Sequence, residues 1–410
     1  MARYIETKAN VHKVRAGLVA LGVALVLFPF FASQFGNSWV RIMDMTLLYV
    51  MLALGLNIVV GFTGLLDLGY IAFYALGAYV TALLASPQFA IVLESAVNTY
   101  PQFGHAMLWL LGPDVAQNGI HLSVWYIVPL SAALAALLGA LMGAPTLKLS
   151  GDYLAIVTLG FGEIIRLLII NLNAPINLTD GPRGINMIDP IRVFGVSFAG
   201  EPGSKATLHF GNYTMPSVNT YYYLFLTLCI GIIFVTVRLQ HSRLGRAFVA
   251  IREDEMAAKA MGINTRNIKL FTFALGASFG GVAGAMFASL QGFISPESFS
   301  LNESIAVLSM VVLGGMGHIP GVILGAVILA GLPEILRHVV VPLQMVLFGH
   351  VLIDAEVLRQ FLLGLSMVLI MLNRPAGLWP SPRHEERVIG DEELNLDDNQ
   401  ATGVAKQIAT

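Results

Sequence analysis

Apolar residues in this chain are gathered into ten runs that are separated by polar stretches. The runs occupy residues 16–33, 43–60, 65–85, 123–145, 153–172, 220–237, 270–290, 303–315, 319–332 and 360–373. A helix needs about 20 predominantly apolar residues to cross a lipid bilayer, and most of the runs approach or reach that length. The pattern therefore predicts an all-α, polytopic membrane protein with about ten transmembrane helices.

The eighth and ninth runs, residues 303–315 and 319–332, are short for full spans and are joined by the glycine-rich sequence GGMGHIP. They predict either two membrane spans or a re-entrant pair, and both arrangements leave the topology of the chain ends unchanged. A further apolar stretch, residues 339–353, is interrupted by Pro342 and His350. We predict that it forms an amphipathic element at the outer face.

Basic residues indicate the orientation of these helices, because Lys and Arg are enriched in cytoplasmic loops of membrane proteins. Of the 23 lysines and arginines, four lie at the N-terminus, one is Lys148, seven lie in residues 238–269 and four lie in the C-terminal tail. Residues 86–122 contain none. The expected domains are a cytoplasmic N-terminus (1–15), a transmembrane domain with a cytoplasmic loop (16–373, loop 238–269) and an acidic, disordered cytoplasmic tail (374–410).

The composition excludes a soluble globular protein. Of the 410 residues, 56% are hydrophobic and only 12% are charged, whereas about a quarter of the residues of a soluble protein are charged. The single cysteine, Cys229, excludes an intrachain disulfide. The chain also lacks a G-x-x-x-x-G-K-[ST] sequence and a recognisable catalytic or metal-binding constellation. We therefore expect no ATP site, no enzymatic activity, no metal and no cofactor in this chain.

The loop at residues 238–269 interrupts the central apolar part of the chain, and it contains a predicted short helix at residues 253–261. Three acids in its first turn suit the helix dipole, Lys259 lies four residues after Glu255, and Gly262 can adopt the left-handed conformation that ends a helix. One face has small central side chains that would let another backbone approach closely. This face consists of Asp254, Ala257, Ala258 and Met261. A solvated amphipathic linker is the alternative interpretation.

The spacing E-x-A-A-x-x-x-G, formed by Glu255, Ala257, Ala258 and Gly262, resembles the coupling loop of ABC-importer permeases. The surrounding sequence LGRAFVAIREDEMAAKAMGIN (244–264) is similar to that of the branched-chain amino-acid permease family, specifically the M-type permease subunits of the Liv systems. Further similar segments occur in the family's order: GDYLAIVTLGFGEIIR (151–166), TDGPRGI (179–185), QGFISPESF (291–299), VVLGGMG (311–317) and RPAGLWP (374–380). The resemblance covers about residues 55–380.

This resemblance implies one permease subunit of an ABC importer for leucine, isoleucine or valine in the bacterial inner membrane. The implied fold is the vitamin B12-importer-like, type II permease architecture. The implied partners are a second related permease, two cytoplasmic ATPase subunits that bind ATP, and a periplasmic amino-acid-binding protein. Transport would proceed by alternating access that the ATPases drive in trans. The residues implied to couple to the ATPases are Arg252, Glu253, Asp254, Glu255, Ala257, Ala258, Met261 and Gly262.

Ionisable residues inside apolar runs are costly unless they are paired or face a polar cavity. Besides Asp44, they include Glu163 and Arg166, which lie three residues apart and predict either a structural ion pair or part of the translocation pathway. Asp67 lies in the sequence GFTGLLDLG, where glycines predict a break in the helix. It either faces the pathway or lies near the membrane boundary. The wider family often has a serine and a histidine at the positions of Asp67 and Tyr70.

The sequence leaves other functions open. Within the same family, the substrate is alternatively another small solute, such as a different amino acid, a short amide or urea. A secondary transporter would use intramembrane carboxylates such as Asp67 and Glu163, and its uptake would depend on a proton or sodium gradient and not on ATPases. A membrane-embedded enzyme would need a convergent catalytic set, which the sequence does not supply.

Overall fold

The computed structural model describes most of the chain. The described residues are Gly17, Ala20, 22–33, 36–146, 149, 151–193, 196–198, 207–210, 213–348, 355–374 and 377–379. The predicted N-terminal segment, residues 1–15, and most of the predicted tail, residues 380–410, lie outside the described residues.

Helices form nearly all of the regular structure among the described residues. In chain order they are α1 (Gly22–Ala32), α2 (Asn37–Asn57), α3 (Ile71–Leu84), α4 (Gln88–Thr99), α5 (Pro101–Leu111), α6 (Pro113–Asn118), α7 (Val124–Thr146), α8 (Asp152–Asn171), α9 (Ser217–Gln240), α10 (Arg243–Glu253), α11 (Glu255–Ala260), α12 (Thr265–Gln291), α13 (Leu301–Gly314), α14 (Ile319–Phe348) and α15 (Ala355–Asn373). Three short antiparallel strand pairs join β1 (Ala85–Ser86) to β2 (Ile120–His121), β3 (Arg192–Val193) to β4 (Val196–Ser197), and β5 (Thr207–Phe210) to β6 (Tyr213–Pro216).

Each predicted apolar run overlaps one of these helices, which confirms an all-α protein with several apolar helices. Five helical regions are long and apolar enough to cross a membrane: Ser38–Phe62, Val124–Thr146, Asp152–Asn171, Val218–Gln240 and Thr265–Gln291. Shorter apolar helices lie at Gly22–Ala32, Ile71–Leu84, Leu301–Gly314, Ile319–Leu332 and Gln360–Leu369. The predicted order of apolar elements is therefore present in the structure.

The third predicted helix begins later than predicted. α2 continues into a π-helical turn at Ile58–Phe62, and α3 begins only at Ile71. Residues 64–70, which we call the 64–70 segment, are therefore not helical. Gly64 has a φ of +70°, in the left-handed region that glycine adopts most easily, and this conformation ends the helix. The apolar residues of this segment reflect burial inside the protein and not helix formation.

The helix at the ninth run is longer than predicted. α14 extends over 30 residues, Ile319–Phe348, and includes residues 339–348. The prediction of a separate amphipathic element at residues 339–353 is therefore wrong over that range, and residues 349–354 lie outside the described residues. The stretch at residues 86–122, for which no elements were predicted, contains the short helices α4, α5 and α6.

α12 lies at the centre of the bundle, where it packs along α2, α3 and α7. Its glycines recur every four residues and face these neighbours: a Cβ added to Gly276 would lie 3.1 Å from the Gly55 carbonyl oxygen. A Cβ added to Gly280 would lie 3.2 Å from the Phe73 Cβ. A Cβ added to Gly284 would overlap the carbonyl oxygen of Tyr74. These glycines let the backbones of the neighbouring helices approach closely.

Candidate coupling site

The predicted single helix at residues 253–261 is wrong, because the chain forms two helices that meet at Asp254. Glu253 is the last residue of α10, and Asp254 has extended backbone angles of φ −156° and ψ 112°. The Asp254 Oδ1 accepts hydrogen bonds from the backbone N–H groups of Met256 at 2.7 Å and Ala257 at 3.0 Å. An aspartate that satisfies these free N–H groups favours the N-cap over a position inside a helix.

Gly262 ends α11 as predicted. Its φ is +84°, and its N–H donates to the Lys259 carbonyl at 3.0 Å. The next N–H, that of Ile263, donates to the Ala258 carbonyl at 3.0 Å. This pair of hydrogen bonds is a Schellman motif, which fixes the direction in which the chain leaves the helix. Asn264 then caps α12 by accepting a hydrogen bond from the Asn267 N–H at 3.2 Å.

The exposed surface of α11 differs from the predicted small face. Ala258 is only 4% exposed, so its side chain is turned into this chain. Met256 and Met261 are 73% and 83% exposed, and Ala257 between them is also exposed. The surface left for another protein is therefore the apolar group formed by Met256, Ala257 and Met261, which we call the α11 face. Of the four predicted positions, Asp254, Ala257 and Met261 are exposed, and Ala258 is buried against this chain.

Glu255 attaches α11 to α12. Its Oε2 accepts a hydrogen bond from the Lys269 Nζ at 2.6 Å, and its Oε1 lies 3.1 Å from the Lys259 Nζ. The Lys269 side chain is 6% exposed, whereas that of Lys259 is 52% exposed. Burial raises the pKa of Glu255, but the hydrogen bonds from Lys269 and Lys259 lower it by more. The net pKa therefore lies below its ordinary value. The pairing with Lys259 follows from the sequence spacing, whereas Lys269 was not predicted.

Arg252 contacts the membrane helices of its own chain. Its Nη1 donates a hydrogen bond to the Gly61 carbonyl oxygen at 2.6 Å, across a separation of 191 residues. Gly61 belongs to the π-helical turn at the end of α2. The sequence placed Arg252 among the residues coupled to the ATPases, and the structure directs its guanidinium group toward α2.

Three segments meet at Gly61. The Gly317 N–H, in the turn between α13 and α14, donates to the Asn57 Oδ1 at 2.8 Å. A Cβ added to Gly61 would lie 2.5 Å from the Gly317 nitrogen, and one added to Gly64 would lie 3.2 Å from the Arg252 Cγ. We call these five residues, Asn57, Gly61, Gly64, Arg252 and Gly317, the Gly61 junction. The end of the bundle that contains it and residues 238–269 is called the loop end.

The 64–70 segment leads from the Gly61 junction into the bundle. The Leu68 N–H donates to the Thr158 Oγ1 of α8 at 3.0 Å. The Leu68 carbonyl accepts from the Ser304 Oγ of α13 at 2.7 Å. Asp67 is 2% exposed, and its Oδ1 accepts from the Gly69 N–H at 2.9 Å. Among the described residues, the Asp67 Oδ2 has no hydrogen-bond partner. Neighbouring side chains thus replace the hydrogen bonds that the backbone loses outside a helix.

Glu163 and Arg166 form the predicted ion pair. The Arg166 Nε donates to the Glu163 Oε2 at 3.0 Å, and the side chains are 30% and 34% exposed respectively. The structure thus brings these two residues together on α8, whereas the Asp67 carboxylate is bonded to the Gly69 amide within its own segment. The pair lies near the middle of α8, on a helix that is mostly exposed in this single chain.

A polar site lies at the opposite end of the bundle. The His121 Nδ1 contacts the Asp189 Oδ2, and its Nε2 lies 2.7 Å from the Asn118 carbonyl oxygen. The hydrogen bond with Asp189 raises the pKa of His121 above its ordinary value, although partial burial opposes that shift. His121, Asp189 and Arg192 line a cleft of about 430 Å³.

Sequence reasoning missed Lys269, Asn57, Gly317, Thr158 and Ser304 as parts of this arrangement. The only local signal for Asn57 was a polar side chain inside the run at residues 43–60. Gly317 lies in the GGMGHIP sequence, which indicated a turn but not its neighbour. Their roles depend on contacts between distant segments.

Residues 38–371 match the family model described as "branched-chain amino acid transport system / permease component". The chain is 41% identical over 377 residues to the high-affinity branched-chain amino acid transport system permease protein LivM of Escherichia coli (strain K12), covering 90% of this chain and 76% of that protein. LivM of Salmonella typhimurium is 39% identical over 397 residues, covering 95% and 79% respectively. The LivH permease of Escherichia coli (strain K12) is 24% identical over 344 residues, covering 82% and 93%. No solved structure matches the chain.

Proposed function

The chain belongs to the permease-component family of branched-chain amino acid transport systems, and we propose that it forms one half of the transmembrane pathway of a bacterial ABC importer for leucine, isoleucine and valine. The family match over residues 38–371 carries this proposal, because it includes both the apolar bundle and the central loop. The relatives named LivM, which are similar over most of the chain, support the same substrate class.

The proposed arrangement has ten spans in the bacterial inner membrane, with a vitamin B12-importer-like, type II fold. The loop end and both chain termini lie in the cytoplasm, which the distribution of Lys and Arg supports. For α13 and α14, the position of Gly317 favours two spans over a re-entrant pair, because a Cβ added to Gly317 would lie 2.9 Å from the Arg252 Nη1. A re-entrant pair from the outer face would turn back before it reached the loop end.

The α11 face is the proposed contact with one of two cytoplasmic ATPase subunits. Its two exposed methionines suit docking, because unbranched, polarisable side chains adapt to an irregular groove. ATP is bound by the ATPase subunits, and this chain supplies no nucleotide site. A periplasmic binding protein delivers the amino acid at the opposite end, near the cleft lined by His121 and Asp189.

A second, related permease is proposed to cover the exposed face of α8. Glu163 and Arg166 lie on that helix with about a third of each side chain exposed. Charged groups are costly against lipid, even when they are paired. A partner subunit that covers this face would enclose the ion pair at the boundary between the two permeases, where it would line the translocation pathway. Asp67 is proposed to contribute to the same pathway from the 64–70 segment.

Transport is proposed to follow alternating access. Closure of the ATPase dimer on ATP displaces the α11 face, and the contact of Glu255 with Lys269 carries that displacement into α12. Because α12 packs along three other helices, its movement changes their positions together. The binding protein supplies most of the affinity for the amino acid, so the pathway needs no tight site.

The proposal is tested by purifying the tagged chain from gently solubilised host membranes. We expect a second permease and two ATPase subunits to co-purify. In proteoliposomes, the complex should accumulate labelled leucine, isoleucine and valine only with ATP and the binding protein. Uptake that persists without ATP and collapses with the proton or sodium gradient would show a secondary transporter instead. Preferred accumulation of another amino acid, an amide or urea would change the substrate class but not the ABC mechanism.

A further inference from the structure

We propose that Arg252 is a positioning residue that transmits the movement of the coupling loop directly to the π-helical end of α2. This inference rests on the proposed function. The side chain reaches 2.6 Å from the Gly61 carbonyl oxygen and therefore connects α10 to a membrane helix that precedes it by 191 residues. The route is separate from the contact of Glu255 with Lys269, which leads to α12.

Arg252 is connected to α11 by a very short stretch of chain. Arg252 is the second-last residue of α10, and only Glu253 separates it from Asp254, the N-cap of α11. Ser242 caps the other end of α10 by accepting a hydrogen bond from the Gly245 N–H at 3.1 Å. A displacement of the α11 face therefore also displaces the Arg252 backbone.

The Gly61 carbonyl is a suitable place to apply that displacement. The last carbonyls of a helix lack partners within the helix and carry the negative end of its dipole, so a guanidinium group is favourable there. Gly61 also lies in a π-helical turn, where the regular hydrogen-bond ladder is already interrupted. A change of conformation at this turn breaks fewer regular hydrogen bonds than one in the middle of α2.

The tight packing at the Gly61 junction carries the movement further. No side chain fits on Gly61, because a Cβ there would lie 2.5 Å from the Gly317 nitrogen. The Asn57 Oδ1 holds that nitrogen at 2.8 Å, so the end of α2 and the turn between α13 and α14 move together. The 64–70 segment, with the buried Asp67, begins three residues beyond Gly61. Arg252 thus acts on the buried non-helical segment that the proposed pathway contains.

The first test compares Arg252→Gln with Arg246→Gln in the reconstituted complex. Arg246 is an exposed arginine on the same helix, so its variant controls for loss of positive charge from the loop. We expect Arg252→Gln to lower the number of leucine molecules transported per ATP hydrolysed at least tenfold, with the ATPases still bound and still hydrolysing ATP. Arg246→Gln should keep the wild-type ratio. A wild-type ratio for Arg252→Gln, or loss of the ATPases from that variant, would overturn the proposal.

A second test replaces the hydrogen bond with a covalent one. A Cβ on Gly64 would lie 3.9 Å from the Arg252 Cβ, within the range of about 3.5–4.5 Å that disulfides require. The double variant Gly64→Cys and Arg252→Cys is made in a Cys229→Ala background. When it is reduced by dithiothreitol, it should transport few leucine molecules per ATP hydrolysed. Oxidation by copper phenanthroline joins the two thiols and should restore the transport ratio at least fivefold. For each single cysteine variant, the number of leucine molecules transported per ATP should be the same under reducing and oxidising conditions. That ratio should be low in Arg252→Cys alone.

An oxidised pair that remains uncoupled, or a reduced pair that is already coupled, contradicts the role of Arg252. These outcomes are separable from failure of the proposed function. If the wild-type complex transports no amino acid with ATP, the proposed function is wrong. If the wild-type complex transports leucine and the Arg252 variants do so equally well, only the role of Arg252 is wrong.

Discussion

Glu255 joins α11 to α12 through a contact with a buried lysine. The Lys269 side chain is 6% exposed, and its Nζ lies 2.6 Å from the Glu255 Oε2. A buried ammonium group that loses its only carboxylate partner is strongly destabilising, because its charge is then left unpaired away from water. The carboxylate therefore contributes more than an exposed helix pair such as Glu255 with Lys259 would contribute alone.

Replacing Glu255 with Gln should therefore lower the free energy of unfolding by about 1–3 kcal/mol, since the site is partly exposed and the full effect of a buried pair is reduced. Lys259→Met, which removes the exposed partner, should change it by only about 0.5 kcal/mol. Thermal unfolding of both purified variants measures the difference. Equal melting temperatures for the two variants would contradict the role of Lys269.

The same pair gives a pH dependence. Because the folded pKa of Glu255 lies below its ordinary value of 4.5, its contribution to stability is complete above pH 4.5. It is lost as the pH falls below 4.5 through the folded pKa. The stability difference between wild type and Glu255→Gln should therefore be constant near neutral pH and should narrow only under acidic conditions.

α12 shows how glycine positions determine the packing of a whole element. Its successive glycines at four-residue spacing face α2 and α3, and their lack of side chains permits backbone contact. Elsewhere a helical glycine has no such role: Gly231 of α9 has open space where a Cβ would lie. The two helices therefore respond differently to the same substitution.

Gly284→Ala should destabilise the protein by about 1–3 kcal/mol, because the added Cβ overlaps the Tyr74 carbonyl oxygen and forces α12 away from α3. The matched control, Gly231→Ala, should be neutral or stabilising by about 0.5–1 kcal/mol, since alanine has the higher helix propensity. Melting curves in detergent measure both effects. A Gly284→Ala protein as stable as the control would show that α3 and α12 are less closely packed.

At the scale of the whole molecule, charge and shape distinguish the two ends of the bundle. The loop end carries seven basic residues in residues 238–269 and the exposed α11 face, whereas residues 86–122 carry no Lys or Arg. The native Cys229 is buried, at 4% exposed. These properties allow the proposed orientation and the proposed ATPase contact to be tested together.

In a Cys229→Ala background, a cysteine at the exposed position of Gln117 should react with an impermeant thiol reagent added outside intact spheroplasts. A cysteine at Met256 should react only in inside-out vesicles, and only after the ATPases are stripped from the membrane. Labelling of Met256→Cys from outside would show that the topology is the reverse of the one proposed. Equal labelling with and without the ATPases would show that the α11 face does not contact them.

The sequence by itself determined the class of the protein, the order and approximate position of its apolar helices, the central loop and the family. These properties depend on local composition and motif, which each stretch carries independently of its neighbours. Gly262 as the end of α11 and the pairing of Glu163 with Arg166 were also predictable, because they involve residues within a few positions of each other. The division of the predicted coupling helix at Asp254 was missed, because the acids there suit both a first turn and an N-cap.

Only the tertiary structure decided which side chains of the loop face inward. Ala258 is buried and Arg252 reaches Gly61, although both occupy positions that the sequence assigned to an external partner. The glycines of GFTGLLDLG indicated a break, but the non-helical 64–70 segment extends well into the predicted run at residues 65–85, because its backbone groups find partners on Thr158 and Ser304. Those partners lie about 90 and more than 230 residues away along the chain. Contacts over such separations depend on how the helices pack, which no local pattern of hydrophobic and polar residues specifies.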